Sequence, residues 1–284
     1  MKYAITTATG KFGKNAVKEL SQLVDLENIV AIVRNPEKAQ KLLPEGIEIR
    51  QADYSSESEL SKALSGVDRL LFISSQPGGE VARIDQHRNV VNAAKSAGVK
   101  FVAYTSFPKA DVAKNPLASD HRETEKLIKD AGFSYSFLRN NWYLENEIGT
   151  INKALNGNPF VYSAGDGKAG WTLERNYSEA AAKVLASDNT KDIYEFAGTA
   201  ITYGEMAKAL QEVSGVNFDI EQVSDEQYIN GLKESGLDEG TALLVTSFQT
   251  MIREGGLDGN DADITEVLGR SIEPLSEQLK ELIK

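Results

Sequence analysis

The sequence predicts an α/β fold: a doubly wound parallel sheet of the dinucleotide-binding (Rossmann) kind, with a smaller, mainly helical C-terminal substrate lobe. Three observations carry this. A strand turns into a helix through a glycine pair within the first thirteen residues, and six short apolar strands alternate with helical segments at βαβ spacing up to Asn140. Beyond that point the pattern loosens and becomes helix-rich. The expected division is 1–150 for the dinucleotide domain and 151–284 for the lobe, with some later segments returning to the first domain.

Lys2 to Thr6 (KYAIT) reads as the first strand. Thr7-Ala8-Thr9-Gly10-Lys11-Phe12-Gly13 turns it into a helix on which Phe12, Ala16, Val17, Leu20 and Leu23 recur at helical spacing. N–H groups at a helix start lack intrahelical partners, and with the helix dipole they attract a pyrophosphate. The usual fingerprint has three glycines. Gly10 and Gly13 are in place, but Thr7 stands where the first is expected. If position 7 requires positive φ, a β-branched residue there is strained; if it stays extended, its hydroxyl can face the ligand.

Ile29 to Val33 is a continuous apolar run, as suits a parallel strand covered on both faces. It ends at Arg34-Asn35-Pro36. An acidic residue at this point binds a ribose 2′-hydroxyl, whereas an arginine accommodates a 2′-phosphate, so Arg34 favours NADP(H) over a merely solvated role. A helix from Pro36 to Leu43 leads to a strand over Ile47–Gln51. Asp53 can hold an adenine amino group or begin the next turn, and Ser56-x-x-Glu59 reads as a capping box opening a helix to Leu64. Arg69 to Ser74 is the fourth strand, followed by Ser75-Gln76-Pro77-Gly78-Gly79. Ser74, Ser75 and Gln76 thus stand where ligands cross the carboxyl ends of such a sheet.

A helix over roughly 80–97 follows, on which His87 is expected to bond locally. Lys100–Thr105 makes the fifth strand, 120–131 a helix and Ser134–Arg139 the sixth strand. Next, Asn140-Asn141-Trp142-Tyr143-Leu144-Glu145-Asn146 opens a helix, Asn158–Ser163 gives a strand and Gly165-Asp166-Gly167-Lys168 a turn. Asn176 can cap the helix 177–186, Ile193–Phe196 reads as a strand, and Thr202-x-x-Glu205 is a second capping box.

The balance of charge narrows the function classes. A net charge of −11 disfavours a general nucleic-acid or anionic-membrane surface, so an anionic ligand must meet a local positive site. With no cysteine and only His87 and His121, thiolate catalysis, disulfides and multi-histidine or cysteine metal sites are excluded. The first residues are strand-like rather than basic and then apolar, and no stretch approaches a membrane span, which points to the cytoplasm.

The stretches ITTATGKFG, AIVRNPEKA, QADYSSESEL, LLFISS, QHRNVVNAAKSAGVKFVAYTS, HRETEKLIKDAGFSYSFLRNNWYLEN and SAGDGK together resemble the bacterial NAD(P)H:quinone oxidoreductases of type 2. These belong to the NmrA-like group of atypical short-chain dehydrogenases. The resemblance runs in order from residue 1 to about 190 and continues more loosely to the end. It implies an enzyme that prefers NADPH, with NADH weaker, and reduces quinones. By position it implies cofactor contacts at Thr7, Ala8, Thr9, Gly10, Lys11 and Phe12, at Arg34 for the 2′-phosphate, and at Ser74, Ser75 and Gln76 beside the ribose. Asn140, Asn141, Trp142, Tyr143, Leu144 and Glu145 would lie near the nicotinamide, with Lys168 also approaching the cofactor. Asn141 departs from the pattern, in which a glycine is usual, and could narrow the pocket.

Ordinary short-chain dehydrogenases use a Tyr-x-x-x-Lys pair, which this sequence lacks; His121-x-x-x-Glu125 stands in its place. A quinone needs less help, because hydride transfer gives a delocalised hydroquinone anion that solvent can protonate. His121 is the candidate proton donor, since an imidazole titrates near neutrality, against a structural helix-face histidine paired with Glu125. Tyr143 is the other candidate catalytic residue and could line the quinone slot with Trp142; Phe107 is a comparable candidate. The expected partners are a small quinone, with a homo-oligomer left open, and neither nucleic acid, membrane nor metal. A non-catalytic NADP(H)-sensing regulatory protein of the same group is the alternative, and reduction of another conjugated carbonyl is a third reading.

Overall fold

The computed structural model describes residues Met1–Lys284, which divide into two compact units. The first comprises residues 1–140, 175–196 and 266–269; the second comprises 141–174, 197–265 and 270–284.

The first unit begins β1 (Tyr3–Ile5), α1 (Lys11–Leu20), β2 (Ile29–Val33), α2 (Pro36–Leu42), β3 (Glu48–Gln51), α3 (Glu57–Ala63), β4 (Arg69–Phe72), α4 (Arg83–Ser96), β5 (Phe101–Ser106), α5 (Leu117–Ala131) and β6 (Ser134–Asn140). The chain then builds α6 (Ile148–Leu155), β7 (Phe160–Tyr162) and β8 (Lys168–Ala169) in the second unit. It returns to the first for α7 (Glu174–Ala186) and β9 (Ile193–Phe196). Seven strands form one sheet in the order β3-β2-β1-β4-β5-β6-β9, every pair parallel. Chain order reverses at β1, between β2 and β4, where ligands of such sheets bind.

β1, β2, β4 and β5 are buried at every residue, as the continuous apolar runs require of strands covered on both faces. Phe12, Ala16, Val17 and Leu20 of α1 are buried, but Leu23 is 46% exposed because the helix ends at Leu20. Gly132 stops α5 in the left-handed conformation at φ 86°. Ile193–Phe196, read from the sequence only as a strand, is the seventh strand of the main sheet, pairing with β6.

The second unit continues with β10 (Ile201–Thr202), α8 (Tyr203–Ser214), β11 (Ile220–Gln222), α9 (Asp225–Glu234), α10 (Glu239–Arg253), the start of α11 (Ala262–Leu268), whose residues 266–268 belong to the first unit, and α12 (Leu275–Leu282). Its strands form only two small pairs, β7 with β11 and β8 with β10. Thr202 and Glu205 form a full capping box at α8. At α3 the reciprocal bond is missing, because Glu59 turns to the Asp53 N–H instead of that of Ser56. Asn176 lies inside α7, which already starts at Glu174, so it is not that helix's cap. No helix is long and apolar enough to cross a membrane.

Candidate functional site

At the end of β1 the chain makes a tight turn in which the Gly10 N–H donates to the Thr7 carbonyl at 2.9 Å. Thr7 takes φ +48°, the left-handed region that a β-branched residue tolerates poorly. Gly13 explains itself by packing: a Cβ there would lie 2.4 Å from the Thr7 oxygen and 2.8 Å from the Ala8 Cα. α1 therefore sits against the loop as closely as backbone allows. No side chain caps its N-terminus, whose extended Gly10 brings the loop up to the helix start, an arrangement suited to a pyrophosphate.

Arg34 follows β2 directly and is exposed. Its backbone carbonyl accepts from Gln51, while its guanidinium makes no hydrogen bond or ion pair. Asp53 opens a turn by accepting from the Ser55 N–H at 2.8 Å and hydroxyl at 2.7 Å, bonds that hold its carboxyl below the usual range, with Arg34 adding a smaller effect.

The loop after β4 is anchored from behind. Thr105 Oγ1 accepts the Ser74 N–H at 2.8 Å, and His87 Nε2 accepts the Ser75 N–H at 3.1 Å. An N–H can only donate, so Nε2 is unprotonated and Nδ1 carries the hydrogen to Thr124 Oγ1 at 2.8 Å. His87 thus does not bond locally on its own helix. It joins the β4–α4 loop to α5, and burial first, then the Arg83 charge, push its pKa down to about 3. Gln76 is exposed beyond this anchor.

His121 is also buried, and its partners differ from those the sequence suggested. Arg83 Nη2 donates to Nε2 at 3.0 Å, which leaves Nδ1–H to the Tyr104 hydroxyl at 2.8 Å. Glu125 turns away to Arg139 and to the Ser106 hydroxyl, so the His121–Glu125 pair does not form. Burial, then Arg83 and His87, hold the His121 pKa well below its ordinary value. An imidazole kept neutral, with both nitrogens bonded, is no acid near pH 7, and the proton-donor role expected of His121 is withdrawn. Phe107 packs beside it, ring centroids 5.8 Å apart.

Asn140 ends β6; Asn141, Trp142, Tyr143, Leu144 and Glu145 belong to the second unit, as does Lys168, exposed on β8. The Asn141 amide is committed inside that unit, donating to the Leu257 carbonyl at 3.0 Å and accepting the Trp142 N–H at 2.7 Å. Tyr143 bridges to Thr172 and is half-buried. Leu144 is buried, and Glu145 accepts the Glu174 N–H at 2.9 Å.

Nothing in the sequence singled out Glu147. Its Oε1 accepts from Trp142 Nε1 at 3.1 Å, Trp171 Nε1 at 3.2 Å and the Tyr203 hydroxyl at 3.0 Å, with no cationic partner. Burial outweighs those three bonds and raises its pKa to about 7. Arg83 and Tyr104 carry no local signal either, one being an arginine that opens a helix and the other a tyrosine within a strand.

The family model described as NAD(P)H-binding matches residues 7–166. Quinone oxidoreductase 2 of Escherichia coli is 41% identical over 281 residues, which cover 98% of each chain. The crystal structure of an Escherichia coli NADPH-dependent quinone oxidoreductase complexed with NADPH superposes with a TM-score of 0.93 at 40% identity, over 99% of this chain and 100% of that one. The Citrobacter sp. triphenylmethane reductase complexed with NADP(H) gives 0.92 at 34% identity, over 99% and 100% of the two chains.

Proposed function

Because the chain belongs to the NAD(P)H-binding, NmrA-like family that includes quinone oxidoreductase 2 of Escherichia coli, we propose that it is an NADPH-dependent quinone oxidoreductase, reducing a small quinone without metal or flavin. The observation that carries this reading is the whole-length likeness to an enzyme of that activity solved with NADPH. NADPH, when bound, supplies the hydride.

The chain's own residues bind and orient. The Thr7–Phe12 backbone and the start of α1 take the pyrophosphate, Arg34 the 2′-phosphate, and Ser74, Ser75 and Gln76 the ribose. The family resemblance assigns Asn140, Asn141, Trp142, Tyr143, Leu144, Glu145 and Lys168 to the nicotinamide side, with Tyr143 and Trp142 lining the quinone slot. With no Tyr-x-x-x-Lys pair and with His121 neutral, solvent supplies the proton. The proposed location is the cytoplasm.

The deciding experiment is the initial rate of NADPH oxidation with a simple benzoquinone. Sustained turnover is expected. Tight NADPH binding with no turnover would overturn the reading in favour of an NADP(H) sensor, which the strained Thr7 also suits. Arg34→Ala is expected to weaken NADPH roughly 10- to 100-fold, the worth of a charge-assisted contact, and to leave NADH nearly unchanged. Equal losses in calorimetry would remove the 2′-phosphate assignment. Thr7→Gly relieves a left-handed threonine that costs about 1 kcal/mol, less the backbone entropy of glycine. A higher unfolding midpoint and a few-fold tighter Kd for NADPH are expected.

A further inference from the structure

An arginine normally finds oxygen. Of the chain's ten arginines, eight donate to a carboxylate, a carbonyl or an amide oxygen of the protein. Arg34 and Arg83 do not. Both stand at the carboxyl side of the parallel sheet, Arg34 just after β2 and Arg83 at the start of α4, where the loop from β4 enters it. Arg34 already has a reading as the 2′-phosphate site. Arg83 has none.

The setting of Arg83 is unusual in a second way. Its guanidinium is half-buried, its Nε is sealed from solvent without a partner, and its single hydrogen bond runs to a histidine nitrogen. Sealing a guanidinium nitrogen from water without an oxygen partner is costly. A carboxylate at position 121 would repay that cost and cancel the charge. An imidazole does something different: its Nε2 lone pair orients the guanidinium while leaving the full positive charge in place. His121 is itself fixed by Tyr104, and the neighbouring loop by His87. The cluster therefore holds the cation against His121, whose ring packs on Phe107, and within electrostatic reach of His87, which anchors Ser75.

We propose that Arg83 is a catalytic residue: its guanidinium, positioned by His121, donates a hydrogen bond to the acceptor oxygen on which negative charge develops during reduction. The inference rests on the quinone-reductase reading. In the step, a C–H bond of the dihydronicotinamide breaks and its electron pair goes with the hydrogen to the quinone, which becomes the hydroquinone monoanion as the nicotinamide is oxidised. Arg83 meets the new negative oxygen and keeps its own proton; water then protonates that oxygen. A preorganised donor of this kind contributes most where charge appears only in the transition state.

The test compares wild type with Arg83→Gln, Arg83→Lys and His121→Gln. Removing one such donor typically lowers kcat by 10²–10³-fold, and that loss is expected of Arg83→Gln, with the Kd for NADPH within about twofold of wild type. Arg83→Lys keeps the charge and retains a larger share of the rate. A further variant, His121→Leu, removes the acceptor that orients the guanidinium and is expected to lower kcat, whereas the amide oxygen of His121→Gln can still accept and restores part of that loss; equal rates in the two would remove the positioning role of His121. A kcat for Arg83→Gln within about threefold of wild type overturns the proposal. A second readout needs no turnover: binding of the hydroxynaphthoquinone anion, followed by its visible absorbance with and without NADP⁺. At least tenfold weaker binding to Arg83→Gln is expected, and equal binding overturns the role of Arg83. Wild type that binds neither nucleotide nor reduces quinone fails the functional reading, while the same titration still scores Arg83.

Discussion

Glu125→Ala is expected to lower the stability of the first unit by about 3 kcal/mol, the low end of the cost of breaking a buried ion pair. Glu125 Oε1 lies 3.0 Å from Arg139 Nε and Oε2 2.9 Å from Nη2, a two-pronged pair in which both side chains are about 5% exposed. The Ser106 hydroxyl completes it at 2.6 Å. The estimate sits at the low end because Arg139 Nη1 keeps Asp111 at 2.7 Å and Glu195 at 3.0 Å, so the cation is not fully orphaned. One carboxylate thereby ties α5 to β5 and β6. That tether bears on the role proposed for Arg83, because α5 also carries His121, which bonds its guanidinium. Urea unfolding at neutral pH measures the loss, and a change below 1 kcal/mol would mean that Asp111 and Glu195 suffice.

The second large effect concerns Glu147, whose folded-state pKa is about 7 against an unfolded value near 4.5. Below the unfolded value both states hold the proton and the full contribution is present. Between the two values the folded chain keeps a proton that the unfolded chain has lost, so this contribution falls as pH rises and is gone above about 7. Integrated over that interval it amounts to about 3 kcal/mol. His87 and His121 act in the opposite direction, since their depressed values withdraw stability as pH falls below the unfolded histidine value. The quantity to measure is therefore the difference between wild type and Glu147→Gln. The variant should gain on wild type steadily from pH 5 to 7 and hold that gain above. The chain's two tryptophans, Trp142 and Trp171, both donate to Glu147 Oε1, so their fluorescence should titrate near pH 7 in wild type only. A pH-independent difference would show that Glu147 stays ionised throughout. The phenols Tyr203 and Tyr228, whose pKa values burial raises further, remain neutral over this range.

The fold was readable because its signals are local. β2 announces itself by five consecutive apolar residues, α1 by its buried stripe, and the turn between β1 and α1 by Gly10 and Gly13, each written in a window shorter than fifteen residues. Arg34 was readable for the same reason: its place at a strand end is set by its immediate neighbours. Thr7 was half-readable. Sequence posed the strain as a condition, and only the backbone at φ +48° resolved it.

Side-chain partnership follows a different logic. His121 and Glu125 are one helical turn apart and chemically suited, yet each bonds elsewhere, His121 to Arg83 and Tyr104, Glu125 to Arg139 and Ser106. The competing groups come from other strands and helices, 14 to 38 positions away in sequence. So sequence alone determined the parallel sheet, the glycine turn between β1 and α1 and the place of Arg34 at a strand end, since periodicity, glycine and strand ends act over a few residues. Tertiary structure alone decided that both histidines stay neutral, that Arg83 stands without a counter-ion and that Glu147 gathers two indoles and a phenol. The physical reason is desolvation: which charge survives burial depends on the donors and acceptors that the packed chain brings around it, and no local pattern encodes them.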